Sequence, residues 1–267
     1  MEHATPVAII LLVALLAPVV IYIRRSKAGK EIFVRRIAGI DATEEAIGRA
    51  VEQGRPISFA FGMTEIGPLF YACLGVLYYV AKRAAKLKNK LLIPQRSPEA
   101  VAIVEDTIKE AYREVDRSEN FDPTSVRFLS EEQFAYASGY MGIMHRENVG
   151  AAFLFGHFAG ESLIMAEAGR QVGAMQVGAS VDPEQTCFFI TTCDYTLIGE
   201  EIFAASAYLS REPVQVGSLA GQDRAKLIFL VLIVIGILIA TANSLLSLDL
   251  PNIDALINFN PGWFNHE

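Results

Sequence analysis

The sequence predicts an α/β domain that lies between two transmembrane helices. Short apolar runs alternate with helical patterns through the middle of the chain, which is typical of repeated βα units and a Rossmann-like layered domain with a mainly parallel sheet. Two longer apolar runs, 4–23 and 227–246, stand on either side of this segment. A helix rises about 1.5 Å per residue, so each run is long enough to cross a hydrocarbon core about 30 Å thick.

Basic residues set the expected orientation of these two helices. All 23 lysines and arginines lie between the runs, with Arg24 and Arg25 after the first and Arg224 and Lys226 before the second. Positive residues near membrane ends are retained on the cytoplasmic side. We therefore expect a two-pass protein of the cell (inner) membrane with both termini outside and the central domain cytoplasmic. Positive charge follows the first run, which favours an anchor over a cleaved signal peptide.

The expected domain organisation follows from these boundaries. It comprises an N-terminal transmembrane anchor at 1–25, a cytosolic α/β domain at 26–222, a second transmembrane helix at 223–247 and a short extracytoplasmic tail at 248–267. The net charge of −7 argues against a nucleic-acid partner. The apolar runs make the lipid bilayer the first expected partner.

The order of helices and strands is predicted from local patterns. Asp41 to Glu44 resembles a capped helix start, and this helix is expected to end near Gln53. The uncharged segment 66–81 is expected to be a buried helix, because a crossing there would place a lysine-rich stretch outside. Later helices are predicted from about 98, from 131 to about 145, from 161 to about 169 and from 197 to 209. Strands are predicted at 57–61, 91–94, 126–129, 151–155, 173–177 and 188–192, with a last short run at 213–216.

Ligands of an open parallel sheet bind beyond the carboxyl ends of the strands, where the loops enter the next helices. This rule selects candidate ligand-binding residues in three loops that follow predicted strands. They are Gly62, Thr64, Gly156, His157, Gly160, Glu161 and Asp194. His145 and His157 do not have the spacing of a metal site, so neither a metal nor a cofactor is expected.

The loop 156–162 has two interpretations. Gly156 and Gly160 lie at a strand-to-helix turn, where backbone amides can approach an anion closely at a helix N-terminus. The loop nevertheless lacks the GxGxxG of a dinucleotide site and the GK[ST] of a P-loop. Glu161 would repel a phosphate while favouring the helix dipole. The alternative is that both glycines serve only close packing of helix and strand.

His157 and Asp194 are open to two interpretations each. As a histidine, His157 is suited to act as an acid or base, but it has no evident nucleophilic partner, and the chain lacks a GxSxG elbow. The alternative is a structural histidine. Asp194 is suited to bind a cation or hydroxyl group, or to cap the helix that follows.

Four strings carry a resemblance to a known family. They are 36–57 (RIAGIDATEEAIGRAVEQGRPI), 128–139 (FLSEEQFAYASG), 160–169 (GESLIMAEAG) and 193–213 (CDYTLIGEEIFAASAYLSREP). They resemble an uncharacterised bacterial and archaeal membrane-protein family that carries only a domain-of-unknown-function label. The resemblance covers nearly the whole chain and implies one anchor at each end of a cytosolic domain. It supplies no catalytic residues, because the family has no established activity.

Three functional hypotheses remain open. The first is a noncatalytic module that self-associates as a homo-oligomer or organises other membrane proteins at the inner face of the membrane. The second is a small-molecule-binding domain or enzyme for an anionic ligand, phosphorylated or lipid-derived, at the strand-end loops. The third is one subunit of a multi-copy transporter, in which Asn243 contacts neighbouring protomers. The second apolar run holds a single glycine, Gly236, and therefore no GxxxG pair.

Overall fold

A computed structural model describes residues 6–30, 38–210 and 213–246, so the expected tail at 248–267 lies outside the described residues. The chain divides into two compact units, Met1–Val34 with Glu212–Glu267, and Arg35–Arg211. The described helices are α1 Pro6–Lys27, α2 Ala38–Glu52, α3 Pro68–Leu87, α4 Pro98–Glu114, α5 Gln133–Glu147, α6 Glu161–Gln171, α7 Pro183–Thr192, α8 Glu201–Ser210 and α9 Pro213–Leu246. The described strands are β1 Ile57–Gly62, β2 Leu91–Gln95, β3 Val126–Phe128, β4 Ala151–His157, β5 Met175–Ser180 and β6 Tyr195–Ile198.

The six strands form one sheet in the order β3-β2-β1-β4-β5-β6, and every neighbouring pair is parallel. The predicted α/β fold with a parallel sheet is therefore confirmed. Ile57 at the start of β1 pairs with Leu91 on one side and Ala151 on the other. The strand order reverses between β1 and β4, as in doubly wound folds, and this reversal is where such folds bind ligands.

Helices cover both faces of the sheet. Phe59 and Phe153 point to the face covered by α2, α3, α4 and α8, whereas Ala60 and Leu154 point to the face covered by α5, α6 and α7. Burial on both faces explains why the strands appear in the sequence as continuous apolar runs. Helix α3 confirms that the segment 66–81 belongs to a buried helix, since Cys73 on α3 is fully buried.

Two predicted strands were wrong. The run 188–192 lies in α7, and the sixth strand is β6, which begins three residues later. Pro183 at the first helical position starts α7, and a short apolar run by itself does not distinguish a strand from a buried helix. The run 213–216 forms the first turn of α9 and is therefore helical.

Three helix starts also differ from the prediction. Helix α2 begins at Ala38, so Asp41 lies within its first turn instead of capping it. Helix α5 begins at Gln133 because the Ser130 hydroxyl accepts the Glu132 amide and caps a turn before the helix. Helix α8 begins at Glu201, since Leu197 belongs to β6 and is buried under α2 beside Gly39. A local hydrogen bond at α5 and a tertiary contact at α8 thus accompany shifts of two and four residues, the usual uncertainty of boundaries read from sequence.

Helices α1 and α9 pack against each other within their own unit through two glycines. A Cβ on Gly217 would lie 2.6 Å from the Ile23 Cα, and one on Gly221 would lie 2.9 Å from the Val19 nitrogen. The two glycines form a GxxxG pair that lets the helix backbones touch. Both glycines lie before the predicted apolar run 227–246, which contains no such pair.

Among the described residues, one helix segment, Pro213–Ala242, is long and apolar enough to cross a membrane by length and composition. This supports one of the two predicted spans. The backbone of Asn243 lies in α9, but its side chain is not among those described.

Candidate functional site

Two glycines shape the point where β1 and β4 separate. Gly62 has φ +60° and Gly156 has φ +147°, conformations that side chains rarely adopt. A Cβ on Gly62 would lie 2.5 Å from the His157 oxygen, and one on Gly156 would lie 2.5 Å from the Phe61 oxygen. The two loops therefore approach each other so closely that only glycine fits at either position.

Thr64 ties these loops together. Its hydroxyl donates to the Phe61 carbonyl and accepts the His157 amide at 2.8 Å. The Met63 amide donates to the His157 carbonyl at 2.9 Å. The structure thus brings the predicted residues Gly62, Thr64, Gly156 and His157 into one cluster at the carboxyl edge of the sheet.

Glu161 connects the β4–α6 loop to helix α5 through hydrogen bonds of its side chain. Its side chain is fully buried and accepts hydrogen bonds from Gln133 Nε2 at 2.6 Å and from the Ala159 amide at 3.1 Å. Gly160 lies directly before it, with Gln133 and Phe134 as its nearest neighbours. A buried carboxylate requires such partners, since burying an unpaired charge is costly. Glu161 therefore holds α5 and the β4–α6 loop together.

His157 forms a pair with Asp182 that the sequence analysis missed. His157 Nδ1 lies 2.6 Å from Asp182 Oδ2. An ionised carboxylate only accepts, so Nδ1 carries the proton and Nε2 is left as the free ring nitrogen. The same carboxylate accepts from the Phe158 amide at 3.4 Å and from the Ser180 hydroxyl at 3.3 Å. The available signal was an acid before a proline in the loop after β5.

The amides of the β4–α6 loop are occupied by acceptors of the protein itself. Successive amides of His157, Phe158 and Ala159 donate to Thr64, Asp182 and Glu161. These are the donors that would cradle a phosphate in a doubly wound fold. Two of the three acceptors are carboxylates, so this loop does not favour an anion, and the group that it presents is the half-exposed imidazole of His157.

The sequence model of one protein family, Domain of unknown function (DUF6754), matches residues 2–250. The chain belongs to the DUF6754 family. This confirms the resemblance to an uncharacterised family, and it brings no activity with it. No curated protein and no solved structure matches this DUF6754 chain.

Asp194 lies apart from the other predicted site residues of the DUF6754 domain. It precedes β6 and therefore stands at the amino edge of the sheet, where its Oδ2 accepts the Gln176 amide at 2.7 Å. The prediction had placed it at the carboxyl edge, because the run 188–192 was taken for the strand before it. Asp194 connects β5 to β6. Among the described residues, no group of three or more His, Cys, Asp or Glu side chains is placed to hold a metal ion.

A second candidate surface of the DUF6754 domain is the outer side of β6. This strand is bonded to β5 on one side, and among the described residues it is the last strand of the sheet. Tyr195 and Ile198 on β6 are 36% and 53% exposed, and Ile190 on the neighbouring α7 is 56% exposed. An edge strand with exposed apolar side chains is a template for pairing with another chain.

Proposed function

We propose that this DUF6754 protein is a noncatalytic, self-associating module that α1 and α9 anchor at the inner face of the membrane. The apolar side chains of the helix pair support the anchor. Leu12 and Leu16 on α1 and Leu230 and Ile233 on α9 are each more than half exposed. Such surfaces favour contact with lipid, because exposing apolar area to water costs about 25 cal/mol per Å².

The basic end of α1 supports the proposed two-pass topology. Helix α1 ends with Arg24, Arg25 and Lys27, which places positive charge on the domain side of the anchor. The long side chain of Arg224 donates to the Tyr22 hydroxyl at 3.2 Å and so directs its charge toward the same end. Both termini would then lie outside.

The outer edge of β6, which pairs with no other described strand, carries the proposal of self-association. Two copies related by a two-fold axis would pair their β6 strands antiparallel and extend the sheet across the dimer. Each copy would cover the Tyr195 and Ile198 side chains of the other. Anchoring in one membrane favours this partner, because it confines the copies to two dimensions and raises their effective concentration.

The test is to replace exposed apolar residues of β6 by lysine, which places positive charge at the proposed interface. We expect the wild-type full-length protein to form dimers in nanodiscs, and the double variant Tyr195→Lys/Ile198→Lys to be monomeric, by native mass spectrometry. The matched control is Phe128→Lys on β3, because this residue is 48% exposed on the opposite edge of the same sheet. The control should remain dimeric. A monomeric wild-type protein, or loss of dimers in the control alone, would contradict the proposal.

The His157–Asp182 pair favours a second candidate, a site for a small ligand at the carboxyl edge. A histidine held by a carboxylate through Nδ1 presents Nε2 as a base or hydrogen-bond acceptor. The surrounding carboxylates favour a neutral, hydroxyl-bearing ligand over the anionic one expected from the sequence. A compound of this class would approach His157 without displacing Asp182 or Glu161.

A ligand screen by thermal shift tests this candidate with sugars, polyols and nucleosides as probes. A compound that stabilises the wild-type protein should lose its effect in His157→Gln and Asp182→Asn. It should keep its effect in His145→Gln, an exposed histidine at the end of α5. If no probe raises the Tm of the wild-type protein, or if all three variants respond alike, the candidate is wrong.

A further inference from the structure

A polar groove lies at the amino edge of the sheet, opposite to the His157 cluster. Its volume is about 340 Å³, which falls in the range of small-molecule sites. It opens beside the start of β2, between the end of α3 and the turn that follows α4. The side chains that matter for its chemistry are those of Lys88, Asn89, Lys90, Tyr112, Arg117 and Asn120.

Positive charge dominates this groove. Lys88, Lys90 and Arg117 line it, and the single carboxylate among the lining residues is that of Asp122. Among the described residues, no carboxylate lies within ion-pair distance of Lys88 or Arg117, whereas Lys90 pairs with Glu147 at 2.7 Å. Lys88 and Arg117 therefore line the groove without a described ion-pair partner.

Asp122 is the one acidic residue that lines the groove, and both of its oxygens accept hydrogen bonds from Thr124. Oδ1 accepts the Thr124 amide at 2.9 Å, and Oδ2 accepts the Thr124 hydroxyl at 2.7 Å. These two bonds, the hydroxyl first, hold the pKa of Asp122 below its ordinary value. Lys90 and Arg127 also lower this pKa, so Asp122 offsets part of the positive charge nearby. Lys88, Lys90 and Arg117 outnumber this one carboxylate, and the lining therefore keeps an excess of positive charge.

The backbone fixes both walls of the groove. Lys88 has φ +55° and ends α3, with its amide bonded to the Ala85 carbonyl, while Asp116 has φ +54° and turns the chain after α4. The Arg117 amide then donates to the Tyr112 carbonyl at 3.0 Å. The Tyr112 ring packs on Phe121 at 6.0 Å. The cations therefore project from two tightly closed turns.

Favourable interaction with helix dipoles does not explain all of the basic residues that line the groove. Basic residues are favoured in the last turn of a helix, and Lys86 of α3 fits this rule without lining the groove. Lys90 and Arg117 lie outside the helices, yet they point to the same concave volume. Convergence of cations from separate segments, together with amide side chains, is the chemistry that recognises phosphate.

We propose that this groove binds a phosphate group, held by Lys88 and Arg117 with Lys90 and the amides of Asn89 and Asn120 around it. The phosphate belongs either to the headgroup of an anionic lipid or to a soluble phosphorylated molecule. This assigns anion binding to the amino edge of the sheet, whereas the carboxyl edge, with Glu161 and Asp182, is acidic. The inference does not depend on self-association through β6.

The test uses the full chain in nanodiscs of zwitterionic lipid, with inorganic pyrophosphate as the soluble probe. We expect calorimetry to detect binding that weakens as salt is raised. Lys88→Gln and Arg117→Gln should each weaken it about tenfold, the effect of losing one charge-assisted hydrogen bond. Position 88 has a left-handed backbone conformation, and glutamine is expected to be strained there to the same extent as lysine. Lys86→Gln, two residues away and outside the groove, should leave the affinity unchanged.

A second arm identifies the source of the phosphate. In nanodiscs that contain phosphatidylglycerol, a lipid ligand should slow hydrogen exchange at 85–90 and 112–120 in the wild-type protein and not in Lys88→Gln. Protection by lipid without pyrophosphate binding supports a headgroup site, and the reverse supports a soluble ligand. Failure of both probes, or equal loss of binding in Lys86→Gln and Lys88→Gln, would overturn the proposal.

Discussion

Single residues decide how closely β1 and β4 approach. Gly156 and Gly62 permit loop contacts that no side chain would allow, and Thr64 and Glu161 then use the backbone amides that these contacts expose. Buried backbone donors need partners, so each of these polar side chains substitutes for a ligand or water. The cluster is consequently held together by hydrogen bonds within the protein itself.

Gly156→Ala tests how much the close contact at this glycine matters for stability, and Gly48→Ala is its control. The first variant places a Cβ 2.5 Å from the Phe61 oxygen at φ +147° and should lower the free energy of unfolding by about 1–3 kcal/mol. Gly48 lies inside α2 with no atom within 4 Å of an added Cβ. There alanine should raise the free energy of unfolding by up to about 1 kcal/mol. Urea unfolding followed by circular dichroism measures both, and equal effects would refute the argument.

At the scale of elements, the contact of α1 with α9 sets an offset between the two apolar runs. Gly217 touches Ile23 and Gly221 touches Val19, so the helices run antiparallel and Arg224 is level with the middle of the first run. Leu227 then stands about 15 Å from the end of that run at Ile23. The hydrogen bond of Arg224 to the Tyr22 hydroxyl moves its charge toward the basic end of α1 and makes up for part of this offset.

Gly221→Leu should separate α1 from α9, because a branched side chain cannot enter a contact in which backbones touch. Spin labels at the exposed positions Ile21 and Val214 report the separation as a distance distribution. We expect the distance to lengthen and broaden in this variant. Ala240→Leu adds similar bulk at an exposed position of α9 and should leave the distance unchanged. An unchanged distance in Gly221→Leu would show that the glycine contact does not hold the pair.

At the scale of the whole molecule, the three cysteines report on topology without any mutation. Cys187 is exposed, whereas burial raises the pKa of Cys193 to about 12 and raises that of Cys73 further. The reactive species of a cysteine is the thiolate. We therefore expect Cys73 and the partly buried Cys193 to react slowly near neutral pH in the folded protein, and the exposed Cys187 to react first.

The proposed topology places Cys187 in the cytoplasm. A membrane-impermeant maleimide should leave the protein unlabelled in intact cells and label one cysteine after permeabilisation. In urea the same reagent should label all three, which controls for the presence of free thiols. Mass spectrometry of the intact protein counts the labels. Labelling of Cys187 in intact cells would contradict a cytoplasmic domain.

The sequence by itself determined the fold class and most of the strands. Five of the six described strands begin and end within three residues of their predicted positions. Strands that are buried on both faces are continuous apolar runs in the sequence, and such runs are easily recognised. The glycines at the strand ends were equally visible, since their conformation is a local property. The sixth strand was missed because β-branched and aromatic residues in α7 mimic a strand over a short window.

Only the tertiary structure decided which residues meet. The pairing of His157 with Asp182, the position of Asp194 at the opposite edge and the contact of Gly221 with Val19 all join segments distant in sequence. The same holds for the groove formed by Lys88 and Arg117. Periodicity reports how each segment is buried, but contacts across the sheet depend on strand order, and no local pattern encodes that order.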